Sequence, residues 1–349
     1  MILTPMSLPL HSPINLLITD AGSTKFAGHV RDWIDTQTFN PIFPDDSGEI
    51  TLTKLAPQAD AILCYQAELT GAIINAAPRL KFIQKHGLNC RNIDLQAASA
   101  RHIPVATQPL LRNVTVAEHA LALMLACARK LIPGHHAVTG ASYLQTDLQP
   151  IQTTQDNYRS NWAGISGMKE LYQSTAGIVG MGDIGIEIAK RCRAFGMAVV
   201  YHQRTPLMPA MEAALEARRL PFDELLATSD YVVLALPHTP RTEGIINAAT
   251  LARMKASATL VNIGRGALVD EAALANALYN RQIAMAALDV YAMEPLPAGS
   301  PLLALPNVVL LPHTGGGSYR SWEIDMPAAL GNVQRYFEHG QASGIVSPR

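Results

Sequence analysis

Short apolar runs alternate with longer amphipathic stretches from Ile14 onward. The runs INLLITD, ADAILCY and LKFIQKHG each end in a turn or a polar loop, which is typical of parallel strands joined by helices. A more regular series begins at Thr175, with strands predicted over TAGIVG, MAVVY, YVVLAL, ATLVNI, IAMAAL and NVVLL. Repeated strand–helix units of this kind predict an α/β protein with doubly wound parallel sheets.

The segment from Thr115 to Leu131, TVAEHALALMLACARKL, gives the strongest helix prediction. Thr115 and Glu118 have the spacing of a capping box, and the Ala, Leu and Met residues that follow favour a helix. The helix is apolar on nearly all sides, so we expect it to be buried in a core or an interface. Residues 132 to 170 have little periodicity and are interpreted as a long loop with a short helix near Trp162.

Composition narrows the class of protein. A length of 349 residues suggests two domains, and 48% apolar with 16% charged residues is typical of a soluble globular protein. The net charge of −1 argues against nucleic acid or an anionic membrane as a partner. The N-terminal stretch MILTPMSLPLHSPINLL lacks Lys and Arg and is interrupted by prolines, unlike a signal peptide. The four scattered cysteines form no CxxC pair, so we expect a cytoplasmic protein without disulfides.

A glycine-rich loop follows the first strand of the second series. Gly180, Gly182 and Gly185 form GxGxxG directly after the apolar strand and at the start of an amphipathic helix. In that context the glycines allow a tight turn, close approach of the backbone to a pyrophosphate, and close packing of helix on strand. The alternative is a plain glycine-rich turn. One face of the helix is expected to carry its apolar residues, Ile184, Ile188, Cys192 and Phe195.

The loop after the next strand bears on the choice of coenzyme. NAD-binding proteins usually carry an acid there, whereas this chain has His202, Gln203, Arg204 and Thr205. Without a carboxylate a 2′-phosphate is not repelled, and Arg204 can pair with it. The loop therefore favours NADP over NAD. The alternative is that Arg204 points into solvent and either coenzyme binds.

Three ionisable residues follow later strands of the same series. Arg265 follows ATLVNI, Glu294 lies in the loop after IAMAALDV, and His313 follows NVVLL. The carboxyl ends of parallel strands meet at one edge of a sheet, so these residues indicate a catalytic site. The sequence contains no GxSxG elbow, which argues against a hydrolase. The adjacent His135 and His136 lack a third ligand at a spacing that suits a metal site.

At these residues the chain resembles the D-isomer-specific 2-hydroxyacid dehydrogenase family. The matching strings are VAEHALALML, GIVGMGDIG, LPHTPRTEGIIN, VNIGRGALVDEAAL, ALDVYAMEP and PHTGGG, and with KHGLNCRNID they cover most of the chain. The resemblance implies NAD(P)H-dependent reduction of a 2-oxo acid to a D-2-hydroxy acid. It also implies a Rossmann dinucleotide-binding domain of residues 113–313 and a flavodoxin-like substrate-binding (catalytic) domain of residues 1–112 and 314–349, with the active site in the cleft between them.

The same resemblance implies roles for single residues. Arg265 would hold the substrate carboxylate with its guanidinium fork. His313 would donate a proton to the carbonyl oxygen, and Glu294 would orient His313 and favour its protonated form. Asp289 would lie beside the nicotinamide ring. Further coenzyme contacts implied by the resemblance are Asp183, Ile184, Leu236, Pro237, Thr242, Ile263 and Gly315.

The substrate loop departs from the family pattern GxGxxxID, because Asn89 stands in place of a glycine. We expect substrate contacts from Leu88 and Asn89 in this loop and from Tyr65 in the loop after ADAILCY. Formate dehydrogenases of the superfamily carry Gln at the position of Glu294, and phosphoglycerate dehydrogenases often carry Arg in the loop that holds Tyr65. A small neutral substrate, such as glyoxylate, hydroxypyruvate or a short aliphatic 2-oxo acid, is therefore expected.

Two further expectations concern partners. Corepressors that sense dinucleotides also resemble these dehydrogenases, so a binding protein of that type is the alternative function. The family buries the region of the helix from Val116 to Leu131 beside a two-fold interface, so the resemblance predicts a homodimer.

Overall fold

The computed structural model describes residues 12–146, 148–318 and 320–346. The chain divides into two compact units, one formed by Met1–Arg112 with Ser318–Arg349 and the other by Asn113–Gly317. Each unit has its own sheet of largely parallel strands, with apolar clusters against both faces. The predicted α/β class with two doubly wound sheets is therefore confirmed.

The first unit begins with alternating strands and helices. In chain order these are β1 (Ile14–Ile18), α1 (Lys25–Trp33), β2 (Phe39–Ile42), α2 (Glu49–Leu55) with a 3₁₀ turn (Ala56–Gln58), β3 (Ala61–Cys64), α3 (Gly71–Asn75), β4 (Phe82–Lys85), α4 (Leu95–Ala100) and β5 (Val105–Ala106). Strands β1, β3 and β4 coincide with the three predicted apolar runs. Strands β2 and β5 were not predicted, because one contains a proline and the other has only two residues.

Helix α5 (Leu111–Ala128) begins four residues before the predicted start. Thr115 therefore lies inside the helix, and the predicted capping box of Thr115 and Glu118 is wrong. Glu118 instead accepts a hydrogen bond of 3.3 Å from Arg191 Nη2. By length and composition alone, α5 is the one helix in the described part of the chain that is long and apolar enough to cross a membrane. Its apolar side chains pack into the core of the second unit, as those of a buried core helix do.

The segment predicted as one long loop over residues 132 to 170 contains a helix. This helix, α6 (Leu131–Thr139), is followed by a 3₁₀ helix at Ser142–Gln145. Lys130 has φ +55°, a left-handed conformation that interrupts the helical path between α5 and α6. Helix α6 carries no amphipathic pattern that would predict it, because none of its residues is buried. Trp162 lies in a turn, so the short helix predicted near it is wrong.

The rest of the second unit is a regular series of strands and helices. It comprises β6 (Thr175–Val179), α7 (Asp183–Ala194), β7 (Ala198–His202), α8 (Pro209–Leu215), β8 (Ala217–Arg219), α9 (Phe222–Thr228), β9 (Tyr231–Leu234), α10 (Ala248–Leu251), β10 (Thr259–Asn262), a 3₁₀ helix (Gly266–Leu268), α11 (Glu271–Tyr279), β11 (Met285–Leu288), a 3₁₀ helix (Pro301–Ala304) and β12 (Val308–Leu310).

All seven strands of the second sheet are parallel, in the order β12–β11–β10–β9–β6–β7–β8. The order reverses between β6 and β9, and a reversal of this kind creates a crevice for ligands at the carboxyl ends of the strands. The glycine-rich loop follows β6 at this point. Helix α7 buries Ile188 and Cys192 as predicted, but Phe195 is its C-terminal cap and is 42% exposed.

The chain returns to the first unit through α12 (Ser321–His339) and β13 (Ile345–Val346). The first sheet has the order β13–β5–β4–β3–β1–β2, and only β13 runs antiparallel to its neighbour. The order of its parallel strands is that of flavodoxin-like sheets. Helix α12 packs Met326, Leu330 and Val333 onto the apolar cluster on one face of this sheet.

Candidate active site

Three adjacent strands of the second unit carry the predicted catalytic residues just beyond their carboxyl ends. Arg265 follows β10, Glu294 follows β11 and His313 follows β12. These strands are neighbours in the parallel sheet, so the loops that follow them leave the sheet at the same edge. The structure thus brings the three residues to one edge of one sheet.

Glu294 and His313 form a close pair. His313 Nδ1 lies 2.7 Å from Glu294 Oε2, and the backbone N–H of Tyr291 donates to Glu294 Oε1 at 3.1 Å. Because a carboxylate only accepts, Nδ1 carries the proton, and Nε2 is the ring nitrogen available to a ligand. Partial burial opposes ionisation of Glu294. The hydrogen bonds from His313 and Tyr291, with the charges of His313 and Arg265, outweigh it and lower the pKa of Glu294.

The turn after His313 is fixed by Asp289, a residue 2% exposed. Asp289 Oδ1 accepts the backbone N–H of Thr314 at 2.9 Å, and Oδ2 accepts that of Gly315 at 2.8 Å. His119 on α5 places Nε2 3.1 Å from the same carboxylate, without hydrogen-bond geometry. The sequence did not reveal this anchoring contact, because Asp289 and its two backbone partners are 25 and 26 residues apart in the chain.

Arg265 is exposed at the start of its loop. Its Nη1 donates to the carbonyl oxygen of Gly264 at 2.6 Å, which leaves other donors of the fork for a ligand. Asn262 holds the turn, since its side chain donates to the Arg265 carbonyl at 2.9 Å and accepts from the Gly264 N–H at 3.1 Å. Asn262 is a supporting residue that the sequence analysis did not single out.

The glycine-rich loop fits a dinucleotide. Gly180 has φ +99°, and a Cβ atom at Gly185 would lie 2.2 Å from the Gly180 carbonyl oxygen, so α7 can start close to β6 only with glycine there. Around Gly182, no atom lies within 4 Å of where a Cβ atom would be, so the backbone is open to a pyrophosphate. No side chain caps the N-terminus of α7, which begins with Asp183 and Ile184. Anions bind at helix ends of this kind.

The loop after β7 is held from two sides. His202 Nδ1 lies 3.0 Å from the Leu220 carbonyl oxygen, and Gln203 Oε1 accepts the Met181 N–H of the glycine-rich loop at 3.2 Å. Arg204 and Thr205, which follow, are exposed. The link from Gln203 to the glycine-rich loop was not predictable, because a glutamine in a polar loop carries no signal of its own.

The remaining predicted coenzyme residues lie on the same unit. Leu236 and Pro237 follow β9, and Ile263 follows β10. Thr242 accepts a hydrogen bond from the Thr239 N–H at 2.8 Å and donates to the Pro237 carbonyl at 2.9 Å, which closes the loop after β9. The backbone N–H of Gly315 is already engaged by Asp289. All of these residues therefore follow strands at the carboxyl edge of the second sheet.

The predicted substrate residues other than Arg265 lie on the first unit, after β3 and β4. Leu88 and Asn89 are exposed in the loop after β4, and Tyr65 is partly buried in the loop after β3. Asn92 joins the two loops, because its Nδ2 donates to the Ala67 carbonyl oxygen at 2.7 Å and to that of Tyr65 at 3.2 Å. Asn89 accepts the Arg91 N–H at 3.1 Å, so it closes a turn in place of the usual glycine.

A buried polar pair that sequence analysis did not single out supports these loops. Lys85 is the last residue of β4 and His86 follows it, and the ammonium of Lys85 donates to the carbonyl oxygen of Tyr65. Burial, with the charges of Lys85 and Arg112, lowers the pKa of His86 to about 3. His86 is therefore neutral at physiological pH, and its ring stacks on Trp322 with centroids 5.5 Å apart.

Comparison with known proteins agrees with this geometry. The family model described as D-isomer specific 2-hydroxyacid dehydrogenase, NAD binding domain, matches residues 121–315. Glyoxylate/hydroxypyruvate reductase B of Serratia proteamaculans (strain 568) is 36% identical over 81% of this chain and 82% of its own length. A D-3-phosphoglycerate dehydrogenase of Mycobacterium tuberculosis is 34% identical over 90% of this chain. The chain spans only 54% of that relative's length.

Solved structures show the same likeness. The NADPH-dependent glyoxylate/hydroxypyruvate reductase of Sinorhizobium meliloti, in complex with NADP and malonate, is similar with a TM-score of 0.62 and 27% identity. The similarity covers 96% of this chain and 97% of that one. Both units of the chain are therefore represented in a single known architecture.

Proposed function

Because this chain belongs to the D-isomer-specific 2-hydroxyacid dehydrogenase family, we propose that it reduces a small 2-oxo acid to the D-2-hydroxy acid, with NADPH preferred over NADH. The observation that carries the proposal is the His313–Glu294 pair at 2.7 Å, beside Arg265, on the sheet that also holds the glycine-rich loop. A proton donor and a carboxylate-binding cation beside a coenzyme loop are what this reduction requires.

The residues of the site have different roles in the proposed reaction. A nicotinamide coenzyme held at the glycine-rich loop would supply the hydride to the carbonyl carbon. Arg265 holds the substrate carboxylate through paired N–H donors and polarises the 2-oxo group. His313 donates the Nε2 proton to the carbonyl oxygen, so the overall reaction consumes one proton per hydride. Glu294 keeps the ring oriented and stabilises the imidazolium before transfer. We propose that Asp289 contacts the coenzyme, and its hydrogen bonds also anchor the turn after His313.

We propose glyoxylate, hydroxypyruvate or a short aliphatic 2-oxo acid as the substrate. The names of two similar reductases point to glyoxylate and hydroxypyruvate. Phosphoglycerate dehydrogenases often carry an arginine in the loop that holds Tyr65, and this loop has none, which favours a substrate without a phosphate. Tyr65, Leu88 and Asn89 remain the proposed substrate contacts on the first unit, which we propose as the substrate-binding domain.

The preference for NADPH rests on the loop after β7. Arg204 is exposed there, and His202, Gln203 and Thr205 add no carboxylate that would bind a ribose diol or repel a 2′-phosphate. A charged hydrogen bond of this kind is worth about 1.5–3 kcal/mol. Because solvent removes part of that energy, we expect a preference of about tenfold.

One assay tests the reaction, the substrate and the coenzyme. NADPH or NADH absorbance is followed with glyoxylate, hydroxypyruvate, pyruvate and 3-phosphohydroxypyruvate, and kcat/KM is compared across the panel. We expect turnover of the unphosphorylated acids, and faster turnover with NADPH. Binding of coenzyme without turnover of any acid would favour a dinucleotide-sensing protein instead. A higher kcat/KM with NADH would contradict only the coenzyme preference.

We also propose a cytoplasmic homodimer. The helix α5 that first suggested an interface packs within the core of its own unit, but the next helix leaves its apolar side chains uncovered. The exposed apolar side chains are Leu131, Ile132 and Val138 on α6, and Leu144, Tyr158 and Trp162 in the segment that follows. Patches of this extent favour a protein partner, and a second copy is the partner that the family resemblance implies. The four free cysteines agree with a reducing compartment.

A further inference from the structure

Arg219, the last residue of β8, holds the loop after β7 by its backbone. Its Nη2 donates to the carbonyl oxygens of Gln203 and Arg204 at 3.0 and 3.1 Å, and its Nε donates to that of Gln203 at 3.2 Å. Nη1 takes part in none of these bonds. The guanidinium of Arg219 therefore lies against the two residues where a coenzyme 2′-phosphate is expected.

The charges of Arg204 and Arg219 are not balanced within this part of the fold. Neither residue belongs to an ion pair among the residues that the structure describes, whereas Arg191 and Arg193 on the neighbouring helix both pair with carboxylates. The carbonyl groups that Arg219 contacts are neutral, so its full charge remains. Two unbalanced guanidinium groups at one loop favour an anionic ligand.

A chain of contacts continues from Arg219 to the glycine-rich loop. Arg219 fixes the backbone of Gln203, and the side chain of Gln203 accepts the Met181 N–H at 3.2 Å. Met181 lies between two glycines of that loop. Gln203 therefore contacts both Arg219, through its backbone, and the glycine-rich loop, through its side chain.

We propose that Arg219 is a second residue that selects NADP(H), by adding charge beside the 2′-phosphate and by fixing the backbone that presents Arg204. This inference rests on the proposed use of NADPH and deepens it. It predicts that Arg219 contributes to binding of the phosphorylated coenzyme and much less to binding of NAD⁺. A residue that merely stabilised the loop would affect both coenzymes alike.

Isothermal titration of the full-length protein with NADP⁺ and with NAD⁺ tests the proposal. We expect Arg219→Ala to weaken NADP⁺ binding about tenfold and NAD⁺ binding less than about threefold, since one charged phosphate contact is lost. Retained NAD⁺ binding shows that the variant is folded. Arg219→Lys keeps the charge without the fork, and is expected to lie between wild type and Arg219→Ala.

Arg218→Ala is the matched control. Successive residues of a strand point to opposite faces, and Arg218 lines a cavity near Glu216 on the other side of β8. Arg218→Ala is expected to change the affinities for NADP⁺ and for NAD⁺ by less than about twofold each. The dependence of NADP⁺ affinity on salt should also become weaker in Arg219→Ala and stay unchanged in Arg218→Ala.

The outcomes separate the two proposals. Equal losses of NADP⁺ and NAD⁺ affinity in Arg219→Ala, or an equal effect of Arg218→Ala, would overturn the role of Arg219. Absence of 2-oxo acid reduction would contradict the proposed reaction and leave this binding comparison intact. A wild-type protein that binds NAD⁺ more tightly than NADP⁺ would contradict the coenzyme preference and the inference built on it.

Discussion

His313 is the residue on which the proposed reaction depends most directly. Replacing it with alanine removes the proton donor but none of the predicted coenzyme contacts. His313→Ala is therefore expected to lower kcat for 2-oxo acid reduction by about 10²–10⁴-fold while NADP⁺ still binds. Steady-state kinetics and coenzyme titration measure the two effects. His339→Ala, at the end of α12, is the control. A kcat of His313→Ala within a few-fold of the wild-type value would show that His313 is not the proton donor.

Glu294 sets the pH range of the same step. Its pKa is lowered, so it is ionised throughout the neutral range and stabilises the protonated ring beside it. Reduction needs that protonated ring. In Glu294→Gln the side chain can still accept a hydrogen bond, but its negative charge is lost and the protonated ring is less stable. The fall of kcat on the basic side of the pH profile should therefore occur at lower pH. Profiles from pH 6 to 9 test this, with the exposed Glu224→Gln as control. Movement of this limb to higher pH would show that Glu294 does not favour the protonated form of His313.

Single residues were predictable from the sequence where they directly follow a strand. Arg265, Glu294 and His313 were identified because short apolar strands mark where each loop begins. Contacts between distant parts of the chain left no local signal. The bonds from Asp289 to the turn after His313, and those from Arg219 to the loop after β7, belong to this second group.

At the scale of elements, the close approach of α7 to β6 can be tested at Gly185. A methyl group there would lie 2.2 Å from the Gly180 carbonyl oxygen, so the helix must move away from the strand. Gly185→Ala is expected to weaken coenzyme binding about tenfold or more, because the helix N-terminus no longer meets the pyrophosphate. Titration calorimetry measures the effect.

Gly331→Ala on α12 is the matched control for this substitution. A methyl group at Gly331 meets no atom within 4 Å, and alanine favours a helix over glycine by about 1 kcal/mol. It should leave coenzyme affinity unchanged and raise the urea midpoint slightly. Wild-type coenzyme affinity in Gly185→Ala would show that the contact between helix and strand is dispensable.

Elements were predictable from sequence where burial shapes the pattern of residues. The strands β9, β10 and β11 are buried at every position and gave unbroken apolar runs. The start of α5 was misplaced for a different reason. The N–H of Leu111 is accepted by the side chain of Asp325 at 2.9 Å, so the helix is capped from a remote part of the chain. A capping rule that examines only nearby residues selected Thr115 instead.

At the scale of the whole molecule, the uncovered apolar side chains of α6 and the segment after it predict association. We expect light scattering to give the mass of a dimer. The double variant Ile132→Asp, Leu144→Asp should give a monomer, since buried charges without partners oppose association. Ile50→Asp on α2, 75% exposed, is the control and should remain dimeric. A wild-type mass of one chain at all concentrations would contradict the proposal.

The two-sheet architecture was predictable because the family motifs and the predicted strands together cover most of the chain. The strand that closes the first sheet was not. It has two residues, Ile345 and Val346, and it pairs with β5 from far along the chain. The segment between α5 and β6 was also poorly predicted, since α6 has no buried residue and the sequence there shows no periodicity.

The turn held by Asp289 affects how the site responds to a ligand. His313 has φ +55°, a left-handed backbone that costs about 1–2 kcal/mol in residues other than glycine. The bonds from Asp289 to the next two backbone N–H groups maintain that conformation within the folded chain. The proton donor is thus preorganised, and little binding energy is needed to order it. A donor fixed in this way cannot adapt to substrate size, so tolerance for larger 2-oxo acids must arise from other residues.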